Sequence, residues 1–132
     1  MSNSIINKAV EAVIALVPRT VTFATPYRGA LGTGNGICFE IGPTSPEAVF
    51  LDKNQYIPID LTINGKHDNL EILSDQLNNL HEALTTSRSY PSGTNWKIVD
   101  ITTLSEPQII AREDSGQWIM ASAILVKLET KL

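Results

Sequence analysis

The sequence predicts an α+β domain, in which two α-helices pack on one face of a mostly antiparallel β-sheet. Two segments, residues 4–17 and 69–85, carry apolar side chains at helical spacing. The segments between and after them alternate apolar and polar residues and are joined mostly by short turns, which connect antiparallel neighbours. The 132 residues suit a single domain over the whole chain, 1–132.

The first helix is predicted from an apolar stripe that ends at Pro18. Its members are Ile6, Val10, Val13 and Val17. The stripe is broad enough to lie on a sheet. Its polar side carries too few cations for a membrane-surface helix.

The second helix has the clearest pattern in the chain. Asp68 is the expected N-cap, and Glu71 follows three residues later as in a capping box. The leucine stripe consists of Leu70, Leu73, Leu77, Leu80 and Leu84. Because the stripe is only about two heptads long, it predicts packing on a sheet rather than a coiled coil. We expect Leu73, Leu77 and Leu80 in the core.

Four strands are expected before the second helix. The pattern is shown by TVTFATPYRG (residues 20–29), the segment ICFEI, the segment AVFLD and the segment YIPIDLTIN. Turns are expected at residues 42–47 and at KNQ, residues 53–55. Pro58 cannot donate to a strand ladder, so this end of its strand is expected at an edge or a strand start.

Three strands are expected after the second helix: WKIVDITTL, SEPQIIARE and, beyond a turn at Asp114-Ser115-Gly116, QWIMASAILVKLE. The last strand is apolar on both faces through its middle, which is typical of a strand covered on two sides. One side is expected to meet the helices. The other side also needs a cover. We predict either a contact with a neighbouring subunit, through a face or an edge, or a second layer formed by residues 31–52. The candidate interface residues are Trp118, Met120, Ala121, Ala123 and Leu125.

A glycine-rich stretch, GALGTGNG, precedes the segment ICFEI. The stretch spans residues 29–36 and contains four glycines, Gly29, Gly32, Gly34 and Gly36. A phosphate-binding loop would lead from a strand into a helix, whereas this one leads into a strand. We therefore expect a flexible loop that becomes ordered on docking.

The residues suggest no reaction chemistry. Cys38 is the only cysteine and lies in an apolar, strand-like segment, so packing is favoured over nucleophilic catalysis. His67 is expected in a turn and His81 on the polar flank of the second helix, in structural or solvated roles. No carboxylate pair, metal motif or Walker loop is present, so we expect neither catalysis nor a cofactor.

The charge also restricts the partners. The net charge is −4, and the ten basic residues are scattered along the chain. This predicts no general binding to nucleic-acid backbones. The N-terminal segment lacks the pattern of a signal peptide and is too short and amphipathic to span a membrane, so we expect synthesis and assembly in the cytoplasm.

The segment YIPIDLTINGKHDNLEILSDQLNNLHEAL resembles part of the small minor capsid proteins of phages that infect Gram-positive bacteria. The segment NWKIVDITTLSEPQIIAREDSGQWIMASAILVKLE resembles the closing section of the same proteins, and the N-terminal helix ending at Pro18 also matches. These proteins are similar to the tail-terminator, or tail-completion, proteins of long-tailed phages. The glycine-rich loop has no counterpart in the resemblance.

The resemblance implies a subunit of a hexameric ring at the head-proximal end of a tail tube. Its expected partners are further copies of itself, the tail-tube protein and the head-completion proteins. Its expected location is the virion, after assembly in the host bacterial cytoplasm. Two other hypotheses remain: a cytoplasmic small-molecule or regulatory binding domain with helices on a sheet, and an enzyme.

Overall fold

In the computed structural model, two helices lie on a single curled sheet, which confirms the α+β class. The structure describes residues 2–17, 23–44, 54–86 and 89–131. The elements are α1 (Ser2–Ala15), β1 (Tyr27–Arg28), β2 (Gly36–Thr44), β3 (Asn54–His67), α2 (Leu70–Thr85), β4 (Ser92–Gly93), β5 (Trp96–Arg112) and β6 (Trp118–Lys131). The strand order is β1-β2-β3-β6-β5-β4. All neighbours are antiparallel except β1 and β2.

The core lies between the helices and one face of the sheet, the inner face. The predicted core residues Leu73, Leu77 and Leu80 are completely buried, which confirms their assignment. Helix α1 and the turn after it contribute four buried residues: Ala9, Val10, Val13 and Val17. The sheet contributes the alternating residues of β3, Ile57, Ile59, Leu61 and Ile63, as the pattern predicted. Both helices thus bury their apolar stripes in one continuous cluster.

The N-terminus of α2 is capped one residue later than expected. Asn69, not Asp68, has the extended backbone of an N-cap, and its side chain accepts a hydrogen bond from Ile72 N–H at 3.1 Å. Asp68 instead lies 2.9 Å from His67 Nδ1. Asp and Asn are nearly equivalent caps, so the sequence could not separate two adjacent candidates. With Asn69 as cap, Glu71 is not at the capping-box position.

The strands before α2 differ from the prediction in their bounds. In the described part of the strand expected over TVTFATPYRG, residues 20–29, only Tyr27 and Arg28 are strand, and they form the two-residue β1. The expected turns are partly strand, because β2 continues to Thr44 and β3 already begins at Asn54. Pro43 lies at a register shift of the β2–β3 ladder, where a missing N–H is tolerated. The AVFLD segment lies outside the described residues.

Strand β3 is central rather than at an edge, with β2 on one side and β6 on the other. Its pairing with β2 ends at Ile59. Among the described residues, the segment around Pro58 is therefore paired only with β6. Among the described residues, Pro58 therefore lies at a locally open edge of the sheet. The missing N–H of a proline is tolerated at such an edge.

The chain after α2 forms one long hairpin with a short added strand, β4. The two strands predicted at residues 96–104 and 105–113 are a single strand, β5, of 17 residues. Pro107 lies at a bulge inside this strand, where its missing N–H is tolerated. The predicted turn is confirmed: Glu113 N–H donates to Gln117 O at 2.8 Å, and Gly116 has a positive φ of 91°.

Candidate functional site

Strand β6, which carries the predicted interface residues, lies in the middle of the sheet. It pairs with β3 from Trp118 to Lys131 and with β5 from Trp118 to Thr130. Both of its edges are therefore occupied within the chain. A subunit contact through an edge of this strand, one of the two forms predicted, is not compatible with this fold.

The five candidate interface residues lie on opposite faces of the sheet. Met120 is 4% exposed and lies in the core, and Trp118 is half-buried on the same inner face, 4.8 Å from the Arg112 guanidinium. Ala121, Ala123 and Leu125 lie on the outer face and are half-buried. A face contact with a neighbouring subunit remains a prediction, and only these last three residues are placed to take part in it.

The outer face of β6 is apolar over the width of one strand only. Ala123 lies between Thr62 of β3 and Ser105 of β5 in the two ladders. Ala121 lies in the same way between Asn64 and Gln108. Because polar rows flank the apolar row, no second layer is required to cover it. The alternative of a second layer formed by residues 31–52 is also wrong for the part of that segment in β2, because β2 belongs to the same sheet as β6.

Strand β5 exposes the larger apolar surface. Between Trp96 and Arg112 it advances 16 residues, while β6 advances 12, from Thr130 to Trp118, so β5 contains four extra residues. Register shifts accommodate them at four places. The side chains of Val99, Leu104 and Ile110 lie at three of these shifts and are 42%, 51% and 56% exposed. Ile109, beside the last shift, is 52% exposed.

Sequence reasoning missed this bulged edge, by which we mean residues 99–112 of β5. The adjacent Ile109 and Ile110 were the available signal, because two successive residues of a strand cannot both face one core. Only Trp96 and Lys97 of β5 pair with β4, and Ile98 N–H donates to Pro91 O at 3.0 Å. Among the described residues, the bulged edge has no strand partner on its outer side.

His81 is buried, which corrects its predicted place on the polar flank of α2. Its Nδ1 lies 3.0 Å from Ser122 Oγ, and its Nε2 lies 2.8 Å from Thr103 Oγ1. Hydroxyl groups both donate and accept, so either neutral tautomer satisfies both contacts. Burial lowers the pKa of His81, and the charge of Glu106 partly opposes this effect. The imidazole thus links α2 to both β5 and β6.

The serine–histidine contact does not form an accessible catalytic pair. Ser122 is only 2% exposed and lies beneath α2, so its hydroxyl cannot meet a substrate in this conformation. His81, by contrast, borders a surface cleft of about 260 Å³. The lining residues are Asn78, His81, Glu82, Thr85, Thr103 and Glu106.

Cys38 lies on the outer face of β2, opposite Asn64 in the ladder, and is completely buried. Burial raises the pKa of its thiol, and the charge of Glu40 raises it further. A nucleophilic cysteine requires the opposite, a pKa lowered by a positive environment. The geometry therefore favours the packing role predicted for this residue.

The glycine-rich loop is attached to the tip of the β5–β6 hairpin. The buried ammonium of Lys66 donates to Gly32 O at 2.9 Å and forms an ion pair with Glu113. Gln117 Nε2 donates to Asn35 Oδ1 at 2.8 Å. The loop leads into β2 and not into a helix, so it lacks the geometry of a phosphate-binding loop.

At three of the four loop glycines there is open space where a side chain would begin. A Cβ at Gly29, Gly32 or Gly34 would meet no atom within 4 Å, whereas one at Gly36 would contact the Tyr27 ring. Gly29 also has a φ of 136°, which other residues rarely adopt. A docking role for this loop remains a prediction.

His67 is the last residue of β3 and thus lies in a strand, directly before the turn in which it was expected. Its Nδ1 accepts a hydrogen bond from Asn69 N–H at 2.9 Å, and its ring meets Phe23 edge-on at 4.6 Å between centroids. Within the described parts of the chain, no three His, Cys, Asp or Glu side chains lie where they could hold a metal ion together. No described helix is long and apolar enough to cross a membrane.

Comparison with known proteins gives a likeness of fold. No protein-family model and no curated protein matches the sequence. Among solved structures, the chain is similar to one from the virion of a native gene transfer agent (GTA) particle, with a TM-score of 0.53 and 14% sequence identity. The match covers 92% of this chain and 87% of that chain. The two chains therefore share a fold over nearly their whole lengths.

Proposed function

We propose that this chain is a structural protein of a phage or phage-like virion, which acts by assembling with other proteins and not by catalysis. The observation that carries the proposal is the shared fold with a chain of a GTA virion over nearly the whole of both chains. Because the match covers nearly all of both chains, it includes the helices as well as the sheet. It is therefore more than a single motif that unrelated proteins could share.

Within the virion, the chain would serve as a minor capsid or tail-terminator-like ring subunit at the head–tail connection or at the end of the tail. The resemblance of the sequence to phage minor capsid proteins supports this finer assignment. We expect a hexamer in the virion, with the tail-tube and head-completion proteins as its neighbours. Assembly would take place in the host bacterial cytoplasm.

The surface of the chain is consistent with such a role. A ring subunit must present two different surfaces to its two neighbours, because a cyclic contact joins unlike patches. Four large apolar side chains along β5 are exposed, and exposed apolar groups of this kind are suited to protein contacts: Val99, Leu104, Ile109 and Ile110. The same surface would be unfavourable on a protein that remained a monomer.

Co-assembly with a tail tube tests the proposal. The chain would be produced together with the tail-tube protein of the same phage, with the tube protein alone as the control. Electron microscopy should show a ring of sixfold symmetry at one end of each tube, and tubes made without the chain should lack it. If the tubes remain open and light scattering finds the chain only at the mass of one copy, the proposal is wrong.

A further inference from the structure

We propose that the bulged edge of β5 in one copy docks against the β1 edge of a second copy, with Glu106 of the first facing Arg28 of the second. The inference rests on the proposed ring function and specifies its subunit contact. The β1 edge is defined here as residues 27–30 with the adjoining segment 39–41 of β2.

Among the described residues, the bulged edge offers exposed apolar side chains together with backbone that no strand pairs on its outer side. Leu104, Ile109 and Ile110 are each more than half exposed, although strand residues of this kind are usually buried. An open edge invites the addition of another strand, whose backbone supplies the affinity and whose side chains supply the specificity. The bulges direct the apolar side chains away from the core and toward such a neighbour.

The surface beside the bulged edge is acidic. Glu106 of β5 and Glu82 of α2 border the same cleft, and no lysine or arginine is among the described residues that line it. Helix α2 adds Glu71 and Asp75 and contains no lysine or arginine. A partner for this surface should therefore present a cation next to an apolar or aromatic group.

The β1 edge of the same chain presents such groups. Tyr27 is 39% exposed, and among the described residues the neighbouring Arg28 donates to Asn7 Oδ1 at 2.8 Å through one of its nitrogens. A guanidinium has five N–H donors, so it can hold a carboxylate at the same time. Lys8 of α1, one position from Asn7 in the sequence, is also exposed. The Glu40 carboxylate accepts a hydrogen bond from Asn64 at 3.2 Å.

A cleft at the β1 edge can accept an apolar side chain. It has a volume of about 320 Å³. Its lining residues are Arg28, Gly29, Ala30, Phe39, Glu40 and Ile41. Strand β1 is short, so β2 beyond Phe39 has no strand partner on this side among the described residues. The cleft thus combines a partly open strand edge, a cation and apolar walls.

The two surfaces lie at opposite ends of the strand order, and no described strand pairs one with the other. A contact between two unlike surfaces of identical chains is heterologous, and it generates a ring when the rotation closes. A second copy of this chain is therefore the occupant to which the charge and shape of the bulged edge correspond.

Charge exchange tests the contact in the co-assembly with the tail tube. Glu106→Arg places two cations face to face, and Arg28→Glu places two carboxylates face to face. Each substitution alone should raise the chain concentration that caps half of the tubes by at least about tenfold. The double variant should return this concentration to within about threefold of wild type, because the pair is re-formed with its charges exchanged.

A mixture of the two single variants separates a contact between copies from one within a chain. In an alternating ring, the two substituted side chains meet at one interface as a cation and a carboxylate. At the next interface, the unchanged Arg28 and Glu106 meet. An equimolar mixture should therefore cap tubes at a total concentration at which neither variant does so alone. Asp114→Arg, which makes the same change of charge at an exposed position of the β5–β6 turn outside both surfaces, should behave like wild type.

The possible outcomes distinguish this inference from the proposed function. If the wild-type chain caps no tubes, the proposed function fails. If it caps tubes and both single variants, shown to be folded by circular dichroism, cap them equally well, only the β5–β1 contact is wrong. Rescue in the double variant without rescue in the mixture would also overturn it, because the pair would then lie within one chain.

Discussion

Lys66 of β3 and Glu113 of the β5–β6 hairpin form an ion pair at the end of the sheet, with the lysine side chain only 6% exposed and the glutamate 41% exposed. The same ammonium donates to Gly32 O, so one buried charge joins β3, the hairpin tip and the glycine-rich loop. A charge of this kind is tolerated in a protein interior when acceptors surround it.

Removal of the Glu113 carboxylate should loosen the glycine-rich loop. In Glu113→Ala, Lys66 would retain Gly32 O as an acceptor but lose its counter-charge, which should cost about 1–3 kcal/mol in the free energy of unfolding. Hydrogen exchange at residues 29–36 should become faster. Asp114→Ala, in the exposed turn next to it, serves as the control and should change neither quantity. Equal exchange in both variants would show that the ion pair does not hold the loop.

Truncation of the α2 stripe should destabilise the fold strongly. Leu77 is completely buried, and Leu77→Ala should cost about 2–5 kcal/mol, because the surrounding side chains cannot close the cavity. Ile72 lies on the same helix and is 38% exposed, so Ile72→Ala is the matched control and should cost less than about 1 kcal/mol. Urea denaturation of the two variants gives the comparison. Similar midpoints would contradict the packing of α2 on the sheet.

The stability of the fold should depend on the protonation of His81. Since its pKa is lowered in the folded chain, the unfolded chain binds the proton more readily, and stability should fall as the pH drops below about 6.5. Glu106 of β5 and Glu82 of α2 border the same cleft, and the charge of Glu106 moderates the loss.

The variant His81→Gln keeps hydrogen-bonding groups at this position but does not titrate. The difference in unfolding free energy between wild type and variant should be constant above about pH 8 and should shift against wild type as the pH falls toward about 5. Urea denaturation at a series of pH values measures it. A difference that stays the same across this range would show that His81 has the same pKa in both states.

The parts of the fold that were predictable depend on periodicity and turn chemistry. The leucine stripe of α2 fits only a helix, and the glycine at Gly116 fits a tight turn with a positive φ. Both structures were found. The positions of the bulges in β5 were not predictable, because an extra residue in a ladder depends on the partner strand. The adjacent Ile109 and Ile110 indicated only that two successive apolar residues could not both face the core. Ser122 showed the same limitation: its place beside His81 is set by packing across 41 residues of sequence.

The candidate site was predictable only in part for a related reason. The apolar residues of β6 were assigned to a surface because both faces of the strand are apolar in sequence. In the structure, Met120 is covered by the core, and the small Ala121 and Ala123 lie between polar rows of β3 and β5. The exposed apolar side chains lie on the neighbouring strand, which was predicted as two short strands.

A charge on β6 should have opposite effects on its two faces. Met120→Glu would place a carboxylate in the core without a partner, so the chain should fail to fold. Ala123→Glu lies on the half-buried outer face, so the chain should fold and remain soluble. If this face contacts a neighbouring subunit, the folded variant should not cap tail tubes. Circular dichroism and electron microscopy of co-assembled tubes measure both effects. A folded Ala123→Glu chain that caps tubes normally would remove the outer face of β6 from the interface.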